Sequence, residues 1–479
     1  MLAAIVRLWI MPLPSSFWVD EMGTLFVVEQ GANHPSFAVA PQVPQSIYYV
    51  LPTLSRHLPG PREIAYRLPS LAAMLLSLWI IARLAARLFH PEAGWLAAFA
   101  LFSLRGLNYE ASDARPYAFG TLVASAALWF LVRWLDDGRW RNAVAFGLCG
   151  ALLWRVQLIF WPFYVVFGIY VVFRIIRSET PVTWLRAALV VLAVTLANVP
   201  VVLRALSLFR EAPEHVVTAL PRPLELVLSL KLGLVAVYGA IAGILATAMH
   251  WKASPAPFSS YVLAAVWWLC QPVGLFAFSY LSGDSVFVSR YLSLSLAGAV
   301  LFAVGLAAIF IPTGYWKPIA AIAAIAILVR MGDWRHAWPT HHNSDWRTAA
   351  ETERVEATNA DTPVICPSPF IEARPPVWSP EYRLPGFLYS HLAAYPVRGR
   401  ICLFPFETSP EAERYAGELM ADVFPRSRRF LIYGGGGPVR FWREWFQKQT
   451  ALAGWTARRL GPFLDVDLVE FSCSRSQHE

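Results

Sequence analysis

Charge is what this chain has least of: 15% of its 479 residues are Asp, Glu, Lys or Arg, against about 25% in a soluble globular protein. That shortage, with 57% hydrophobic residues and a mean hydropathy of +0.46, excludes intrinsic disorder and a plain cytosolic enzyme. A single soluble core stops growing near about 250–300 residues, so lipid must solvate the surplus. Cysteine is scarce too. Five residues without metal-site spacing exclude a disulfide-rich secreted scaffold. Cys149 and Cys270 lie in apolar runs as small hydrophobes; Cys366 and Cys402 can pair only if their strands are neighbours. No basic block and no nucleic-acid motif accompany the formal charge of +8, which excludes DNA or RNA as partner. No internal repeat of the transporter kind is present.

What is there is a series of long apolar runs. A membrane-spanning helix needs about 20 mostly apolar residues. Candidates fall at 65–88, 92–107, 116–135, 142–156, 158–176, 184–205, 226–248, 260–281, 290–311 and 317–331. Met1 to Pro12 is short and carries Arg7; without a basic start or a cleavage site it reads as a truncated or tilted first span, not a signal peptide. The expectation is a polytopic α-helical membrane protein of about eleven spans.

Loop charge alternates. Arg83, Arg87, Arg133, Arg139, Arg141, Arg174, Arg177, Arg186, Lys252 and Lys317 fall on every second loop, which the positive-inside rule places in the cytoplasm. The other loops carry Asp20, Glu21, Glu110, Asp113, Glu211, Glu214 and Asp284 and are expected outside. An odd number of spans puts the C-terminal tail outside as well.

From about Asp333 the apolar runs stop. Short β-type runs at 362–366, 401–406, 430–433 and 463–471 alternate with helical patterns at 345–359, 411–423 and 439–453, which implies a small α/β domain. The expected division is a membrane domain over 1–332, with a long first outer loop at 13–64, and an extracytoplasmic α/β domain over 333–479. The glycine run Gly434–Gly437 lacks the spacing of a phosphate loop and reads as a turn.

Three polar clusters fall on the acidic side. Phe17-Trp18-Val19-Asp20-Glu21 sets two carboxylates at a membrane face, where desolvation is costly; as the first turn of a helix they would also favour its dipole. Asn108 to Tyr117 packs Glu110, Asp113, Arg115 and Tyr117 into ten residues. Asp113 and Pro116 suit a helix start, which requires neither Arg115 nor Glu110. Gly283 to Tyr291 holds Asp284, Arg290 and Tyr291, interfacial anchors on the simplest reading. A guanidinium at the outer end of a span is suited to bidentate binding of a phosphate. Three distant segments reaching one face argue for one polar site.

These residues resemble a family. Trp18-Val19-Asp20-Glu21 resembles the aromatic-x-Asp-Glu motif of GT-C superfamily glycosyltransferases. Ser112-Asp113-Ala114-Arg115-Pro116-Tyr117-Ala118 resembles a signature of their dolichyl-phosphate-mannose–protein mannosyltransferase-like branch, with Asp113 where that branch usually has Glu. Tyr66-Arg67-Leu68-Pro69-Ser70, Ser289-Arg290-Tyr291-Leu292 and Asp345-Trp346-Arg347 are similar to further segments, so the likeness runs over about 17–347. One departure stands out: relatives often carry His-Pro-Pro before Leu-Tyr-Tyr, where this chain reads Pro41-Gln42-Val43-Pro44-Gln45-Ser46-Ile47-Tyr48-Tyr49.

The resemblance implies a membrane-bound, inverting hexosyl- or pentosyltransferase of the cell envelope, taking sugar from a polyprenyl-phosphate donor to a lipid, polysaccharide or protein acceptor. The implied base is Asp20, with Glu21 orienting it or binding acceptor or metal; a divalent metal such as Mg or Mn, where one is used, would sit at Asp20 or Glu21. Arg115 and Arg290, with Tyr117 and Tyr291, are the implied ligands of the donor phosphate, supported by Asp113 and Glu110. Two other classes compete. A transporter or lipid flippase calls for ionisable residues in mid-span, whereas the acids here lie at span ends on one face, and Arg155 and Gln157 between two apolar runs are compatible with either reading; a non-catalytic scaffold with an α/β receptor domain would tolerate loss of Asp20.

Overall fold

The computed structural model describes residues 1–211, 219–342, 344–357 and 359–473. Glu211 and Glu214, named among the loop acids, lie outside the described side chains. The chain divides into a helical unit, Met1–Leu13 with Gln45–Pro339, and a second unit, Pro14–Pro44 with Thr340–Glu479. Most of the first long loop thus belongs with the tail residues.

Among the described residues of the helical unit, seven helices are long and apolar enough to cross a membrane. They are Arg62–Leu88, Tyr117–Asp137, Leu158–Ile176, Trp184–Leu206, Phe258–Ser282, Ser289–Ala308 and Thr313–Met331, and an eighth span forms if Pro223–Ser229 and Leu232–Ala248, bent by 47°, act as one. This is an integral membrane protein. Three further candidates are shorter helices. The 92–107 run becomes Ala93–Phe102 followed by Arg105–Ala111, and ten residues at 1.5 Å each cover about half of a 30 Å hydrocarbon layer. The 142–156 run is Trp140–Val156. Met1 to Pro12 forms only the turns Leu2–Ile5 and Val6–Ile10.

Arg7 explains that short segment. It is buried, and it donates to the carbonyls of Gly332, Asp333, His336 and Ala337 at 2.6–2.8 Å. These follow Met331, the end of a spanning helix. The guanidinium ties the first segment to the chain that leaves that helix.

The alternation of loop charge becomes a difference between the two ends of the bundle. At one end Arg87 and Arg174 both bond Asp136, at 2.7 and 2.8 Å. Thr180 donates to the carbonyl of Leu135, His90 stacks on Trp316 at 5.1 Å, and Trp251 lies 4.7 Å from Tyr315. The opposite end gathers the loops around Ser70, Asn108 to Tyr117 and Tyr291. Between them, Gly298 lets the Ser293–Ala308 helix approach Phe258–Ser282 so closely that a Cβ would collide with the backbone of Trp267 and Trp268. Small residues permit such approach where apolar burial gives helices no drive to associate in lipid. Trp267 Nε1 and Gln271 Nε2, on Phe258–Ser282, add hydrogen bonds to the carbonyls of Leu294 and Tyr291.

The second unit carries a five-stranded sheet of β1 (Pro363–Pro367), β2 (Arg400–Phe404), β3 (Arg429–Gly435), β4 (Trp455–Arg459) and β5 (Val466–Cys473), in the order β2-β1-β3-β5-β4. β1 runs parallel to β2 and β3, and β5 antiparallel to β3 and β4. Helices cover both faces. Phe446 of Gly436–Gln447 meets Phe430 of β3 at 5.5 Å, whereas Trp346 of Trp346–Glu356 meets Tyr433 at 5.7 Å. Odd and even positions of one strand face opposite ways, so these are two layers on one sheet. The alternating pattern read from the sequence is present, and β4 is an addition to it. As an edge strand, β4 buries little, and its Arg458 and Arg459 bond Glu470 and Asp467 of β5. The glycine run holds no turn: β3 extends through Gly435, and the helix starts at Gly436. Cys366 and Cys402 are free. Their strands are neighbours, but Cys402 aligns with Ile365, so the two thiols point to opposite faces.

Candidate functional site

In the helical unit, the segment from Asn108 to Tyr117 is held from several directions. Asn108 donates to the carbonyl of Phe102 at 2.8 Å and accepts from Trp9 Nε1 at 2.9 Å. The Arg115 amide bonds the carbonyl of Asp113 at 2.8 Å, closing a tight bend before Pro116 opens the Tyr117–Asp137 helix. Ser70 Oγ lies 3.4 Å from the Arg115 carbonyl and 3.3 Å from the Tyr48 hydroxyl. The backbone that presents the Arg115 guanidinium is therefore pinned.

The third cluster joins the second. Tyr117 is buried, with its ring 6.3 Å from that of Tyr291. Glu110 is buried near Ser293. Burial, the larger cause, holds the Glu110 carboxyl well above the ordinary carboxylate range, and the nearby Asp113 charge pushes the same way. Gln271 fixes the Tyr291 carbonyl at 2.5 Å. Arg290 is exposed, with its Cζ 5.5 Å from the Tyr291 ring centre. Arg115 and Arg290 thus extend from two loops that their tyrosines bring together, while Asp113 is buried beside Glu110. Asp284 sits in the bend before Ser285.

In the second unit, the Val19–Gln30 helix starts at Trp18, whose amide donates to Glu21 Oε2 at 3.2 Å. This is the returning half of a capping box, and Glu21 is fully buried in it. Asp20 is only half-buried. Of the adjacent acids, Glu21 serves the helix start, while Asp20 is partly exposed as a residue with its Oδ2 buried. The segment before them is tied to the Asp345-Trp346-Arg347 motif. Ser16 donates to Asp345 at 3.1 Å, and Arg347 donates to the Pro14 carbonyl at 3.0 Å. His342 packs on Trp18 at 4.2 Å.

Comparisons with known proteins agree with this architecture. Residues 44–200 match the family model of dolichyl-phosphate-mannose-protein mannosyltransferase. The structure of ArnT from Cupriavidus metallidurans bound to undecaprenyl phosphate superposes with a TM-score of 0.55, at 13% identity, over 98% of this chain and 96% of that one. The fold is that of the GT-C glycosyltransferases. The apo state of ArnT gives 0.52 with the same identity and coverage. No curated protein matches the chain by sequence. The GT-C resemblance carried by the motifs is borne out.

Within this GT-C fold one residue stands out that sequence reasoning did not assign. Arg67 is fully buried and donates to the Leu13 carbonyl at 2.8 Å, one turn before the Ser70 that bonds Arg115. Its signal was available: an arginine inside the apolar run of a spanning helix needs a reason to be there. Arg155 is equally legible afterwards. It donates to the carbonyls of Ala151 and Ala197 and to Asn198, one residue from the end of its helix at Val156, not in mid-span as a transport site would have it.

Proposed function

We propose that this protein transfers a sugar from a polyprenyl-phosphate donor to an acceptor on the extracytoplasmic side of the membrane, with inversion. The observation that carries the reading is the meeting of the Arg115 and Arg290 loops through Tyr117 and Tyr291 at one end of the bundle. It is supported by the GT-C fold and by ArnT, a relative in fold that binds undecaprenyl phosphate. An isoprenoid tail stays in lipid, so its phosphate must be met where spanning helices end. Arg115 and Arg290 are the proposed ligands of that phosphate, and Tyr117, Tyr291, Asp113 and Glu110 hold their loops.

In the proposed reaction the acceptor oxygen or nitrogen attacks the anomeric carbon opposite the phosphate. The new bond to that carbon forms as the bond to the phosphate oxygen breaks, and the electron pair leaves on the phosphate. The acceptor proton passes to Asp20, the proposed base, which must come within about 3 Å of it. No general acid is needed, because the leaving group is already an anion; guanidinium groups stabilise the charge it gains. No step passes through a metal at Asp20 or Glu21. The basic end of the bundle is proposed to face the cytoplasm, which places the opposite end and the tail outside. The sugar and the acceptor class are left open by this reading.

The test is donor turnover by purified protein in detergent with a polyprenyl-phosphate sugar. Asp20→Asn keeps the side chain's size and removes the base, so turnover at saturating donor should fall roughly 10²–10⁴-fold. Wild-type turnover in a folded variant would remove Asp20 from the reaction.

A further inference from the structure

A second feature of the helical unit lies along its lipid-facing side. A cavity of about 430 Å³ at Ser46 and Arg155 is polar, but the larger groove, about 710 Å³, is apolar and runs between the helices Leu232–Ala248, Ser293–Ala308 and Trp316–Met331. Ile241, Leu245, Ala307, Ile319 and Ile322 line it, and two cations, Lys231 and Arg330, line it as well. Both are exposed. Neither side chain has a hydrogen-bonding or ionic partner among the described residues.

The two cations belong to the same end. The Leu232–Ala248 helix finishes, and Trp316–Met331 begins, where Trp251 meets Tyr315, so the helices run in opposite directions and Lys231 and Arg330 share the far end. Lys231 sits in the break between Pro223–Ser229 and Leu232–Ala248, in a left-handed conformation with φ of 51°. From Ile319 to Arg330 the groove follows eleven residues of one helix, about 16 Å at 1.5 Å per residue. Ile319 lies three residues from the start of that helix at Trp316, so the groove follows most of its length.

We propose that this groove binds an anionic phospholipid of the bilayer, with one acyl chain along the helices and the phosphate between Lys231 and Arg330. The charge complementarity is direct, since guanidinium and ammonium groups at headgroup depth attract phosphate. The site is independent of the proposed transfer reaction, whose phosphate ligands are Arg115 and Arg290.

The experiment is native mass spectrometry of the full-length protein titrated with phosphatidylglycerol, phosphatidylcholine and undecaprenyl phosphate. Wild type should bind phosphatidylglycerol at least tenfold more tightly than phosphatidylcholine. The Lys231→Ala/Arg330→Ala double variant should lose about 30-fold in phosphatidylglycerol affinity, the worth of two interfacial cations. Ala323→Trp, which fills the groove without changing charge, should lose the same binding. Lys317→Ala, at the other end of that helix, should not. Unfolding in phosphatidylcholine checks that each variant is intact. Equal binding of the two phospholipids, or equal losses from Lys317→Ala and the double variant, would overturn the proposal. So would undecaprenyl phosphate binding tenfold more tightly than phosphatidylglycerol at a site the double variant abolishes.

Discussion

The ring of Tyr117 lies 6.3 Å from that of Tyr291 at an interplanar angle of 44°, although the two residues stand on different spanning elements. Each follows its arginine closely: Arg115 two positions before Tyr117, Arg290 immediately before Tyr291. The pair works as a brace. Aromatic contacts of this kind contribute about 0.5–1.5 kcal/mol beyond the area they bury, and here they also set where two guanidiniums stand.

Tyr117→Ala should therefore cost about 3–5 kcal/mol, as for a large buried aromatic, and raise the donor KM by letting both loops relax. Tyr117→Phe keeps the ring and should leave stability within about 1.5 kcal/mol of wild type. Thermal unfolding in detergent, with donor titration, compares them. A donor KM unchanged in a folded Tyr117→Ala protein would show that the brace does not position the arginines.

Arg115→Ala and Arg290→Ala should each weaken donor binding by roughly 10–100-fold, the range for a hydrogen bond to a charged group. Both should lower turnover as well. Arg290→Lys should recover part of the affinity, because a charge remains although the bidentate fork is lost. Binding of a non-hydrolysable polyprenyl phosphate reads this directly. Full affinity in both alanine variants would place the phosphate elsewhere.

Gly298→Ala should lower stability by about 1–3 kcal/mol, the cost of overpacking. The added methyl meets backbone at Trp267 and Trp268, which cannot rotate away as a side chain could. Gly168, whose added Cβ meets nothing within 4 Å, is the control. Unfolding midpoints of the two alanine variants should separate clearly.

Glu353 gives a pH dependence to the second unit. Burial pushes its carboxyl up to about 7, against the hydrogen bond from the Arg398 amide and the charges of Arg354 and Arg398. Its unfolded value is about 4.3. The raised folded value means that the contribution is complete below about pH 4.3 and is lost as pH rises through about 7. Glu353→Gln should thus protect the amides of Trp346–Glu356 more than wild type at pH 8, with no such difference near pH 4. Hydrogen exchange on the full chain measures this, and a pH-independent difference would contradict it.

Orientation can be read with a native residue. Cys473 is exposed, Cys366 and Cys402 are buried, and Cys149 and Cys270 lie within the helical unit. An impermeant maleimide should label Cys473 in intact cells, and Cys473→Ser should abolish the label. In that background, Ser254→Cys should react only after permeabilisation. The reverse pattern would invert the proposed topology.

Much of this was determined by the sequence alone. Apolar content dictates lipid as solvent, and alternating loop charge separates two ends that the Arg87–Asp136 pair and the Tyr117–Tyr291 pair now mark. Strand and helix periodicities in the tail are equally local, so they are legible without the fold. The edge strand β4 was not, because charged residues such as Arg458 hide the alternation, and their partners Glu470 and Asp467 are set by register. Register also decides that Cys366 and Cys402 face apart. Other features needed long-range partners: Arg7 bonds carbonyls up to 330 residues away, and Glu21 looks like Asp20 until the capping bond from Trp18 separates their roles. The tertiary structure decided that residues 14–44 fold with the tail, through bonds such as Ser16 to Asp345. A periodicity records which side of an element is apolar; it carries no record of which distant polar group will satisfy a buried one.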